Sequence, residues 1–120
     1  MAQIVTYRDL VVWQRSVEMV VAIYSLTELF PTAERYGLTA QMRRAAVSVP
    51  SNIAEGRRRG SRKEYRQFML IAYGSGAELE TQIEIAKRLS FGDSEHFDKA
   101  ESLLSEVMRM LNKVLSILRS

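Results

Sequence analysis

The sequence has no cysteine, one histidine, one tryptophan and two prolines among 120 residues. Without cysteine there is no disulfide framework and no thiolate metal site. None is needed, because a chain of this size buries roughly two-thirds of its unfolded surface on folding. Independence from disulfides suits a reducing compartment, and a cytoplasmic location is expected. The opening, Met1-Ala2-Gln3-Ile4, has no basic stretch leading into an apolar run, so no secretory leader is expected. Continuous apolar runs are short, as in Met19 to Tyr24. A spanning helix needs roughly 20 apolar residues, so no membrane segment is expected.

Scarce histidine also thins the catalytic inventory. His96 stands beside Glu95 and Asp98 at an expected helix start. Acid–base work needs a positioned partner and an enclosing cleft, and neither is signalled there. Glu78, Glu80 and Glu84 form the carboxylate cluster inside a helical pattern. A di-iron bundle site requires Glu-x-x-His pairs, which are missing. These acids are expected to face basic side chains of a neighbouring helix, with Arg43 and Arg44 as candidates. Gly74-Ser75-Gly76 has the composition of a phosphate loop, but such loops follow a strand. Helical spacing runs through it from Ala72 to Leu79, so close helix packing is expected instead. No catalytic residue, metal ligand or cofactor is assigned, and no enzyme is expected.

What is present is helical periodicity. Apolar residues recur in threes and fours, with no linker, repeat or low-complexity tract, so residues 1–120 are read as one all-α domain. Four helices are expected. The first runs from about Asp9, as its cap, to Phe30 before Pro31. It carries two apolar stripes, Leu10-Trp13-Val17-Val20-Tyr24 and Val12-Met19-Ile23-Leu26-Phe30. The second runs from about Thr39, as its cap, to Arg58, with Pro50 expected to kink or split it near Ser48. The third starts at a capping box, Ser61-Arg62-Lys63-Glu64, and runs to about Ser90. Its two internal glycines, Gly74 and Gly76, imply a close neighbour. The fourth starts near Asp93 and carries a heptad seam from Phe97 to Leu118. Double stripes on the first and fourth helices point to burial against another subunit, with a large intramolecular core as the competing reading.

Charge is concentrated in one place. The chain carries +3 overall, yet Glu55 to Arg66 alone sums to +4. Arg57, Arg58 and Arg59 close the second helix, and Arg62, Lys63 and Arg66 open the third. Cations at a helix start oppose its dipole, and six like charges repel. This segment is therefore the candidate binding site for a polyanion such as RNA or DNA, held through phosphates. Only Tyr65 interleaves as an aromatic, which favours backbone contacts over base readout. A solvated inter-helix loop is the competing reading.

Three separated motifs carry a family resemblance. They are Tyr7-x-Asp9-Leu10-x-Val12-Trp13-Gln14, the long run from Tyr36 to Gly56, and Gly74-Ser75-x-Ala77-Glu78-Leu79-Glu80-Thr81-Gln82. Together they resemble the bacterial four-helix-bundle proteins encoded in 23S rRNA intervening sequences, over about residues 5 to 91. The resemblance implies an antiparallel up-down bundle that assembles as a ring-like homopentamer. Relatives include the accessory protein of diversity-generating retroelements, a basic ring that binds nucleic acid and a reverse transcriptase. A protein–protein adaptor role is the alternative this implies. The matching residues Arg43, Arg44, Asn52, Glu55, Glu78 and Glu80 are expected to form a polar network that fixes helix register.

Overall fold

The structure, a computed structural model, describes residues 6–119. The stretch Met1 to Ile4, where no leader pattern is expected, lies outside the described residues. Four helices follow a short 3-10 turn at Tyr7–Asp9: α1 Val11–Thr27, α2 Leu38–Arg59, α3 Arg62–Arg88 and α4 Ser94–Leu118. A second 3-10 turn, Thr32–Glu34, lies between α1 and α2. The helix backbones pack side by side in the cyclic order α1, α2, α3, α4. The arrangement is an up-down four-helix bundle with extents of 43 × 26 × 20 Å.

The core follows the expected seams. Met19, Ile23 and Leu26 of α1 face Met42, Val49 and Ile53 of α2, Met69 and Leu79 of α3, and Val107 and Leu111 of α4 in one buried cluster. Fully burying one such side chain contributes about 1.5–3 kcal/mol. In α4, Phe97, Ala100, Leu104, Val107 and Leu111 are buried, while Val114 and Leu118 are half-buried. The Leu10-Trp13-Val17-Val20-Tyr24 stripe of α1 is partly used inside the subunit, since Leu10, Trp13 and Val20 pack against this core.

Boundaries differ from expectation where side chains compete for backbone groups. Asp9 does not cap α1. It belongs to the preceding turn, where its carboxylate accepts the Thr6 N–H at 3.0 Å and the Thr6 hydroxyl accepts the Arg8 N–H at 3.1 Å. The α1 helix therefore starts after Leu10, with no side-chain cap. It ends at Thr27, not Phe30, because Leu29 and Phe30 tighten onto the Leu26 and Thr27 carbonyls. Thr39 does not cap α2 either. It is buried in the first turn, and Glu34 Oε1 accepts the Leu38 N–H at 3.1 Å. The helix runs continuously across Pro50, so of the kink or split expected near Ser48 the split does not occur. Val49 and Ile53, both fully buried, anchor the two sides of the proline in the core.

The α3–α4 connection is a Schellman motif. Phe91 N–H reaches the Ala86 carbonyl and Ser90 N–H reaches the Lys87 carbonyl, each at 3.0 Å. Ser90 occupies the left-handed position, at φ 60°. Phe91 then packs on Phe30, with ring centroids 5.5 Å apart. Asp93 caps α4 by accepting the His96 N–H at 2.9 Å.

Candidate nucleic-acid interface

Only two residues, Gly60 and Ser61, join α2 to α3. Gly60 takes φ 81°, the left-handed exit that closes α2. Ser61 accepts the Glu64 N–H at 3.1 Å and donates its hydroxyl to Glu64 Oε1 at 3.2 Å. The reciprocal half of the expected capping box is thus replaced by a hydroxyl–carboxylate bond. Gly56 sets how closely the helices approach. A Cβ built there would lie 2.7 Å from Phe68 Cβ. The turn is tight, and all six bases around it are held at one end of the bundle.

The six bases do not act alike. Arg59 is neutralised, paired to Glu55 at 2.8 Å and to Glu64 at 3.7 Å, with its guanidinium 5.1 Å from the Phe68 ring centroid. Arg62 donates to the Ile117 carbonyl at 2.7 Å. That carbonyl belongs to the last turn of α4, so a cation misplaced at the start of one helix is well placed at the end of another. Arg66 is half-buried, and its Nε has no hydrogen-bond partner among the described residues. Arg57, Arg58 and Lys63 are exposed and form no ion pair with a described residue. Arg58 lies 5.5 Å from the Tyr7 ring centroid.

Between these termini lies a hollow of about 230 Å³ lined by Gly56, Arg57, Gly60, Ser61, Arg62, Tyr65 and Leu118. Two arginines and a serine line it, and no Asp or Glu among the described residues does. Burial pushes the Tyr65 phenol above its usual pKa, against the smaller opposing pull of Arg57. The phenol therefore remains a neutral donor at physiological pH. The cationic side chains of this concave site suit an anion of phosphate size.

The residues expected to form one register network are instead dispersed. Arg43 ties α2 to the end of α1, bonding Thr27 Oγ1 at 2.9 Å and Glu28 at 3.1 Å and covering the Tyr24 ring at 4.4 Å. Asn52 donates to the Ser48 carbonyl and hydroxyl, and Ser48 Oγ meets Ser75 Oγ of α3 at 2.8 Å. Arg43 thus links two helices, while Asn52 stays within α2 and holds Ser48, which makes the link to α3. Glu55 serves Arg59. Glu78 and Arg44 line one shallow groove without an ion pair, beside Gln82, whose buried Oε1 has no partner among the described residues. Glu80 is exposed, and Glu84 pairs with Arg88 rather than with α2.

Of the two glycines expected to admit a neighbour, Gly76 does so, since a Cβ there would run into Met108 Sδ. Gly74 faces open space. His96 bonds Asp93 Oδ1 through Nδ1 at 2.7 Å, so its partner is the α4 cap and not Glu95 or Asp98. No group of three His, Cys, Asp or Glu residues among those described could hold a metal ion. No helix among them is long and apolar enough to cross a membrane.

Sequence spacing missed the contribution of the first turn. Arg8 and Tyr7 lie fifty positions from the arginine run, yet the Tyr7–Asp9 turn packs on α2 and brings both to the basic end. The Thr6-x-x-Asp9 pattern was the available signal, because reciprocal bonds of that kind mark a helical start.

A four-helix bundle with an arginine-rich end is the class these observations define. The family model for the 23S rRNA-intervening sequence protein matches residues 8–113, and the chain belongs to that family. The match extends well into α4, beyond the motifs recognised in the sequence. A solved protein of unknown function from the S23 ribosomal protein family of Bacteroides thetaiotaomicron shares the fold. It is 23% identical with a TM-score of 0.78, over 92% of this chain and 96% of that one. No curated protein matches the chain.

Proposed function

We propose that this protein is a non-enzymatic, homo-oligomeric helical scaffold that binds RNA or DNA through phosphates at its basic end. The observation that carries this reading is the hollow lined by Arg57, Arg62 and Ser61, with no Asp or Glu among its described lining residues. Around it Arg57, Arg58 and Lys63 keep their charge unpaired among the described residues. Arg62 and Arg66 contribute from the start of α3, and Arg59 braces the turn. Fixed guanidiniums release condensed counterions when they meet a phosphate chain, which gives affinity without base readout.

Self-association is supported by an apolar stripe on α3. Leu70, Gly74, Ala77 and Ile85 fall on one exposed face at helical spacing, and Leu70 and Ile85 remain 42% and 45% exposed. A ring of such subunits, a pentamer as the family resemblance implies, would repeat the basic end several times over. The test is a titration of labelled RNA and DNA at low salt with the intact protein and with Arg57→Glu/Arg58→Glu. Tight binding that the double reversal abolishes supports the proposal. No binding by the intact protein, or equal binding by the variant, overturns it.

A second reading, a protein–protein adaptor, draws on a groove of about 650 Å³ between α1 and α4. Val17, Val21, Ala22 and Leu103 give it an apolar floor, and Arg15, Glu18, Glu95 and Lys99 a mixed-charge rim. A helix of a partner such as a reverse transcriptase would suit that shape. A protein partner retained at high salt would favour this reading.

A further inference from the structure

The first turn assembles a cluster that no run of sequence displays. Reciprocal bonds between Thr6 and Asp9 fix the turn, and Gln14 Nε2 ties it to α1 by donating to the Arg8 carbonyl at 2.8 Å. Tyr7 is thereby held edge-on to Trp13, with centroids 5.2 Å apart and planes at 65°. Arg8 Cζ lies 5.5 Å from the Tyr7 centroid and 5.7 Å from that of Trp13, and Arg58 Cζ lies 5.5 Å from Tyr7.

Arg43 sits 4.4 Å from the Tyr24 centroid and is also tied to Thr27 and Glu28. That guanidinium is fully engaged. Arg8 and Arg58 stand farther from their ring, and neither forms an ion pair with a described residue. Two cations without an ion pair to a described residue and two half-buried rings therefore share one small surface at the arginine-rich end of α2.

Resting on the nucleic-acid reading above, we infer that Tyr7, Arg8, Trp13 and Arg58 form a stacking platform for an unpaired base, so that the preferred ligand is single-stranded. Aromatic rings and guanidinium planes both stack bases, and neither needs a particular base identity. In a duplex the base faces are occupied by their neighbours, leaving only backbone contacts. A strand whose phosphates run past Arg57 and Lys63 can turn a base onto the cluster. The platform thus adds affinity for single strands while leaving sequence preference weak.

The test uses the full chain and three labelled oligonucleotides of equal length: a single strand, the same strand with abasic positions, and the duplex. Binding is read by anisotropy and by emission of Trp13, the sole tryptophan. The expected result is a roughly tenfold or greater preference for the intact single strand, with Trp13 quenched by it alone. Tyr7→Ala should remove that preference and leave duplex binding unchanged. Tyr7→Phe should retain it, since stacking uses the ring and not the hydroxyl. Equal affinity for all three probes, or tighter duplex binding, overturns the platform while leaving phosphate binding intact. Failure of all three probes to bind overturns the underlying reading as well. The probe comparison uses the unmutated protein, so it decides the question even if Tyr7→Ala fails to fold.

Discussion

Arg62 opens α3, yet its guanidinium donates to the carbonyl of Ile117 at 2.7 Å, in the last turn of α4. Its charge is satisfied by the C-terminal end of an antiparallel neighbour. Arg59, held by two carboxylates, is likewise accounted for within the subunit. Arg57, Arg58 and Lys63 are not. The basic end therefore divides into charges that brace the turn and charges available to a ligand.

That division predicts separable effects. Arg59→Ala should leave nucleic-acid affinity nearly unchanged and cost about 0.2–1 kcal/mol of stability, as expected for an exposed ion pair. Arg57→Ala or Lys63→Ala should leave stability nearly unchanged and weaken binding. Urea denaturation set beside binding titrations checks both halves.

Gly56→Ala should destabilise the fold. The added methyl would lie 2.7 Å from Phe68 Cβ and 3.3 Å from Tyr65 Cδ1, neither of which is a flexible chain end. Overpacking of this kind costs about 1–3 kcal/mol. The urea midpoint should fall accordingly, and hollow and turn should loosen together.

Two substitutions should stabilise. Gly74→Ala adds a methyl into open space and removes a helix-interior glycine, a gain of about 1 kcal/mol. Ser90→Gly relieves a side chain at φ 60° in the Schellman position, a gain of up to about 1 kcal/mol. Thermal midpoints of both variants check this.

On the α3 face, Leu70→Glu/Ile85→Glu should dissociate the proposed oligomer without unfolding it, because both side chains are exposed. Light scattering should fall from a multiple of 13.7 kDa to that mass, with helical circular dichroism retained. An intact protein that already scatters at 13.7 kDa would refute self-association.

The start of α4 should respond to acid. Asp93 is held below its usual carboxylate pKa, first by the His96 backbone N–H and then by the His96 ring. Because the folded pKa is depressed, this contribution is present above the unfolded value, near 3.8, and is lost as pH falls through the lower folded value. Fraying of the first α4 turn below that pH, seen by amide exchange, checks this. Asp93→Ala should already show the frayed turn at neutral pH.

The bundle was legible in the sequence because apolar spacing repeats faithfully. Every buried heptad position from Phe97 to Leu111 could be read from steps of three and four. Helix ends were less legible, since Glu34 rather than Thr39 serves α2, and such a choice depends on tertiary placement. The candidate site was half legible. Its arginine run is contiguous, but its neutralisation by Glu64, its tether to Ile117 and its aromatic neighbour Tyr7 arise only when termini of different helices converge. The expected register residues were legible in part: Arg43 ties α2 to the end of α1, while Glu78 shares a groove with Arg44 without an ion pair.

The most direct measurement is the salt dependence of nucleic-acid affinity for the intact protein and for Arg57→Ala/Arg58→Ala/Lys63→Ala. A plot of log affinity against log salt should be steep for the intact protein. It should flatten by roughly 0.7–0.9 for each phosphate contact removed in the triple variant. A flat plot for the intact protein, or identical slopes for both, would contradict phosphate binding at the basic end.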